Sequence, residues 1–114
     1  MAKTVKEEKT KAEKKVVDVK SDVITTQKLD KYFKITEEAF DMATKSKNRT
    51  ALITEREDFI LMITCYIKDA HHFKEKNDFV NAFAALNYAH GWLDSGARLG
   101  IFDVHDSRLF TVDD

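Results

Sequence analysis

From Thr25 onward, apolar residues return at steps of three and four, the period of a helix packed on one side. Leu29, Phe33, Thr36, Phe40 and Ala43 make one stripe, and Tyr32, Ile35, Ala39 and Met42 widen it. The widened stripe predicts a helix over about 25–47 that touches more than one neighbour. The polar run from Lys45 to Thr50 ends it with cations, which suit the negative end of a helix dipole. A second helix is expected over about 52–76. There Thr54-Glu55-Arg56-Glu57 has the spacing of a capping box, in which Thr and Glu satisfy unpaired backbone donors reciprocally. Phe59, Met62, Ile63, Tyr66, Ala70 and Phe73 form its main face, while Ile60, Leu61, Cys65 and Ile67 make its middle apolar nearly all round. That predicts burial on several sides, through a central place in the bundle or contact with another copy.

Asn77 can adopt the left-handed conformation that closes a helix, and Asp78 can cap the next one. The third helix is expected over 79–99. Phe79, Ala82, Phe83, Leu86, Ala89, His90, Leu93 and Ala97 face inward, and Gly100 stops it. So short a connection makes the second and third helices an antiparallel hairpin. Beyond it, Ile101, Phe102, Val104, Leu109, Phe110 and Val112 are too many hydrophobes for a free tail. Residues 101–114 are therefore expected to dock in extended form along the helices, or to add to a partner. Residues 1–22 are rich in Lys and Glu, with only Val16-Val17 as an apolar pair, and predict a disordered tail. The expected architecture is all-α: a three-helix bundle over 23–114 built on one long hairpin.

Charge and cysteine content narrow the function classes. The 114 residues carry a formal charge of −1, yet residues 1–20 hold seven Lys against three Glu and one Asp. A tail of +3 thus precedes a body of −4, and an acidic body is not the footprint of a dedicated nucleic-acid binder. Cys65 is the only cysteine, which excludes an intrachain disulfide and a cysteine-built zinc cage. No apolar leader and no run of ~20 apolar residues is visible. The expectation is a cytoplasmic protein with no membrane association.

The hairpin carries specific wording: Tyr66-Ile67-Lys68-Asp69-Ala70, Phe73, Asn77-Asp78-Phe79-Val80-Asn81-Ala82, Ala85 through Asp94, and Arg98-Leu99-Gly100-Ile101-Phe102. In these residues the chain resembles an archaeal family known only as domain of unknown function 357. The resemblance covers about two-thirds of the chain and is densest from Tyr66 to Phe102. It implies a small helical bundle from an archaeon, with no established activity. The Lys-rich leader lies outside the pattern, and Asn77 stands where a glycine is more usual.

Two stripes on the third helix are the candidate sites. Asn87, His90, Asp94 and Arg98 follow at three- and four-residue steps, so their side chains share one face. They suit either a pocket for a small anion or an Asp94–Arg98 ion pair beside a hydrogen-bonded histidine. The structural pair is the favoured reading. Asn81, Ala85, Tyr88 and Trp92 form the second stripe, expected to receive the first helix or, failing that, to be an association surface. His90 and Asp94 have the spacing of two metal ligands on one helix, but His71 and His72 lie two turns away, so no metal and no cofactor is expected. Cys65, amid Leu61, Met62 and Ile67, reads as a packing residue. Arg98 and His105 match a loose spacing found in helical ribonucleases of the HEPN type. No catalytic residues are assigned. The expected function is a non-catalytic protein-interaction module, associating with itself or with an unidentified protein partner. The alternatives are an RNA-associated or ribonuclease-like bundle, or an anionic-ligand binder at Asn87–Arg98.

Overall fold

The computed structural model describes residues 21–112. The charged tail expected over 1–22 lies outside them except for its last two residues, as do the final two residues of the C-terminal segment. The described chain is an all-α three-helix bundle: α1 (Thr26–Lys45), α2 (Ile53–Glu75) and α3 (Phe79–Leu99). Among the described residues there is no strand, and no helix is long and apolar enough to cross a membrane.

Local chemistry sets each helix end. Thr25 caps α1 by accepting a hydrogen bond from the Lys28 amide at 3.1 Å. Asp78 caps α3 in the same way through the Asn81 amide. Between α2 and α3, Asn77 takes a positive φ of 61°, tolerable for its short polar side chain. Gly100 ends α3 with φ 84°, and the Phe102 amide folds back onto the Gly96 carbonyl.

α2 starts at Ile53, but its cap differs from the one the sequence suggests. Its N-cap is Leu52, with no side-chain cap, and Thr54 lies inside the first turn. The turn is built one step earlier. Asn48 Oδ1 accepts from both the amide and the hydroxyl of Thr50, whose Oγ1 accepts from the Leu52 amide. An Asn/Thr side-chain turn thus competes for the backbone and displaces the capping box.

Helix α3, not the greasier α2, is central. α1 and α2 each lie along α3 and meet one another mainly through long side chains, Phe33 and Glu37 with His71 and Asp30 with Lys74. Tyr66 stacks on Tyr88 and Phe59 meets Trp92 edge-on, which fixes the antiparallel register of α2 and α3 around Asn77. Tyr32 stacks on Phe83, and Thr36 bonds His90, so α1 runs parallel to α3 on its other flank. Ile63, Ile67, Leu86, Ala89 and Leu93 are buried between the layers. α2 leaves Leu61 and Cys65 exposed on its outer side. The packing role expected of Cys65 is therefore incorrect, because its position on the helix faces away from α3.

The C-terminal segment docks in bends and one turn rather than as a strand. Ile101, Phe102, Val104, Leu109 and Phe110 are buried, closing the end of the bundle. Arg56 binds this closure together. Its guanidinium donates to the carbonyls of Ile101 and Ser46 at 2.6 and 2.8 Å and lies over the Phe102 ring. It also reaches the carbonyls of Ala43 and Thr44 at the end of α1.

Candidate functional site

The two stripes on α3 have different surroundings. His90 sits at the seam between α1 and the C-terminal segment. Its Nε2 lies 2.6 Å from the Leu109 carbonyl oxygen, which can only accept, so that nitrogen carries the proton. Nδ1 lies 3.2 Å from the buried Thr36 hydroxyl. In the neutral ring Nδ1 is the acceptor of that pair. Asp94, one turn on, accepts from the Thr111 amide at 2.9 Å and from its hydroxyl at 3.3 Å. His90 and Asp94 therefore hold the segment against α3, and their own separation of 3.9 Å is secondary. Asn87 is exposed, and Arg98 lies a further turn along.

The four residues consequently do not form one pocket. Asn87 and His90 border a cavity with Tyr32, Ile35 and Thr36, whereas Asp94 and Arg98 border another with Ser95 and Thr111. Arg98 also lines a third, of about 160 Å³, with Arg49 and His105. The sequence expectation treated the stripe as continuous because it could not place the returning tail, which crosses at His90 and Asp94. Among the described residues, no three His, Cys, Asp or Glu side chains converge as a metal would need.

The Tyr88–Trp92 end of the Asn81–Trp92 stripe is met by α2, through Tyr66 and Phe59, where α1 was the expected neighbour. Ala85 is buried, and Asn81 donates through Nδ2 to the Asp78 carboxylate. Tyr88 stacks on Tyr66 at 4.5 Å between centroids yet remains 58% exposed. Partial burial, with Tyr88 alongside, pushes the Tyr66 phenol above its ordinary value. Trp92 packs edge-on against Phe59 at 4.8 Å, and its buried indole N–H has no hydrogen-bond partner among the described residues. Phe59, Tyr88 and Trp92, with Asn87, Gly91 and Ser95, outline an open groove of about 410 Å³ with no charged lining residue. Gly91 opens the groove because a Cβ there would meet nothing within 4 Å. Leu99, on the same stripe, is 57% exposed.

Other polar contacts tie helices together. His71 bonds Glu37 at 2.7 Å, and Lys74 bonds Asp30 at 2.7 Å, bridging α2 to α1. Arg108 pairs with Glu38 at 2.7 Å and holds its carboxyl below the ordinary glutamate range. Asp103 accepts from His105 at 2.8 Å and from Arg49 Nε at 3.0 Å, and these neighbours hold its carboxyl low.

No curated protein and no solved structure matches the chain. A family described as a protein of unknown function, DUF357, matches residues 31–102, from the second turn of α1 to the buried Phe102 that seals the bundle. That span takes in α1 from its second turn, the whole of α2 and α3 and both stripes on α3, and the chain therefore belongs to the DUF357 family.

Proposed function

We propose that this protein is a non-catalytic interaction module that associates with a second copy of itself through the α2–α3 groove. The observation carrying this reading is the uncharged aromatic groove of Phe59, Tyr88 and Trp92, in which Tyr88 keeps 58% of its surface exposed. Exposed aromatic residues over a groove are the anchors that dominate association energies. A second copy is the fitting occupant because two uncharged grooves meet across a two-fold axis without like-charge repulsion. Gly91 and Ser95, one turn apart, leave room for the approaching surface. Leu99 extends the apolar contact along the same stripe.

Sedimentation equilibrium of the full chain tests this reading. A reversible dimer is expected for the wild type, and Tyr88→Lys is expected to weaken association at least tenfold while leaving the helical circular dichroism unchanged. A wild type that remains monomeric at all accessible concentrations overturns it.

A further inference from the structure

The residues matched to the family end at Phe102, and those that follow, 103–112, lie against both α1 and α3. Two kinds of contact hold them. Within the segment, the Arg108 amide donates to the Asp106 carboxylate at 3.0 Å, and the Leu109 and Phe110 amides donate to the Asp106 carbonyl at 3.0 and 2.9 Å. Residues 106–110 therefore form a turn that satisfies its own backbone and keeps its shape without the helices. The helices add side-chain clamps. The Leu109 carbonyl and the Thr111 amide flank Phe110, and His90 and Asp94, one turn apart on α3, take one each at 2.6 and 2.9 Å. On α1, Glu38 takes the Arg108 guanidinium at 2.7 Å. Leu109 and Phe110 insert into the same apolar cluster as Ala39 of α1 and Ala97 of α3, whose small side chains leave them room.

We infer that residues 106–112 are an exchangeable knob, and that the cleft between α1 and α3 accepts the same residues from a second copy of the chain. The cleft reads main-chain groups and two adjacent apolar side chains, which is the logic of a peptide groove. A knob that carries its own turn loses none of its internal hydrogen bonds on leaving, and it recovers every clamp in an identical cleft. The two arrangements contain the same contacts, and only the link through Val104 and His105 changes course. Exchange is then a low-cost route to a dimer. A second copy is the fitting occupant because it carries Arg108, Leu109, Phe110 and Thr111 in the order that Glu38, the apolar cluster and Asp94 receive them. The exchange does not use the α2–α3 groove and does not depend on association there.

The test is charge exchange in the full chain. Glu38→Arg and Arg108→Glu are made in separate chains, each also carrying Tyr88→Lys so that the groove contributes nothing. Alone, the first variant sets two guanidiniums against each other and the second sets two carboxylates. In a mixture, reciprocal exchange restores an opposite-charge pair at both clefts. Both side chains are at the surface, so the circular dichroism of each variant should match the wild type. Native mass spectrometry of a concentrated mixture is expected to show the mixed dimer at about fivefold the level of either like dimer. Monomers alone, or a statistical mixture of dimers, overturns the exchange. A labelled peptide of residues 103–112, added to the full chain carrying Phe110→Asp, gives a second readout. Saturable binding is expected, weakened about tenfold when the peptide carries Phe110→Ala. No binding, or a Phe110→Asp chain without a cooperative unfolding transition, shows the segment to be a fixed part of the core and overturns the inference. Peptide binding without any mixed dimer assigns the cleft to a segment of another protein and overturns the second copy as its occupant.

Discussion

The two flanks of α3 come from one amphipathic pattern, yet one is sealed and the other open. On the sealed side, the segment after Gly100 returns across α3, covering Gly96 with Phe102 and engaging His90 and Asp94 through Leu109 and Thr111. On the open side, a Cβ at Gly91 would meet no neighbouring side chain within 4 Å, and Tyr88 covers only part of its ring against Tyr66. Two glycines five residues apart thus have opposite roles. At Gly96 a Cβ would stand 2.5 Å from the fully buried Phe102 ring, while at Gly91 it would enter the groove. Residues that resemble each other in a helical pattern acquire their meaning from what crosses them.

Substitutions at these positions separate the flanks. The largest effect is expected from Phe102→Ala, which empties the centre of the sealed side and should cost about 3–5 kcal/mol in urea denaturation. Arg56→Met should cost roughly 2–4 kcal/mol, because it leaves the carbonyls of Ile101 and Ser46 without their charged donor. A loss below about 1 kcal/mol would mean that Arg56 does not hold the closure. Gly96→Ala should destabilise by about 1–3 kcal/mol through overpacking, despite the better helix propensity of Ala. Gly91→Ala reverses the sign, stabilising the folded monomer by about 0.5–1 kcal/mol through helix propensity while narrowing the groove.

The smallest effect concerns pH. Glu38 and Asp103 both have carboxyls held below their ordinary values, by Arg108 and by His105 with Arg49 respectively. Their stabilising contribution is fully present above the unfolded-state carboxyl values and disappears as pH falls through the lowered folded values. Unfolding midpoints should therefore decline in the acid range below about pH 4, with a shallower decline in Glu38→Gln. An identical acid profile in that variant would remove Glu38 from the explanation.

The sequence made the helices legible because their stripes are long and their stops are chemically distinct. Asn77, Asp78 and Gly100 act as their residue types suggest. Periodicity alone could not order the layers: α2 has the more continuous hydrophobic run, yet α3 is central because it is rich in small residues that admit neighbours on both sides. Ala82, Ala85, Ala89, Gly96 and Ala97 are all buried there. The candidate stripe from Asn87 to Arg98 was visible as a pattern but not as a set of separate contacts, since Leu109 and Thr111 reach it from 17 or more residues away. Arg56 and Arg49 carried no sequence signal, because their partners are mostly backbone carbonyls and a carboxylate brought in by the fold.

Trp92 is the chain's only tryptophan and lines the open groove, so its emission reports directly on whether that flank is covered. The decisive measurement is Trp92 fluorescence over a dilution series, for the wild type and for Tyr88→Lys. Association through the groove requires the wild-type emission to shift to the red on dilution, in step with dimer dissociation, and the variant to show the red-shifted spectrum at every concentration. A wild-type spectrum independent of concentration, at concentrations where sedimentation shows a dimer, would place the contact elsewhere and contradict the open flank as the association surface.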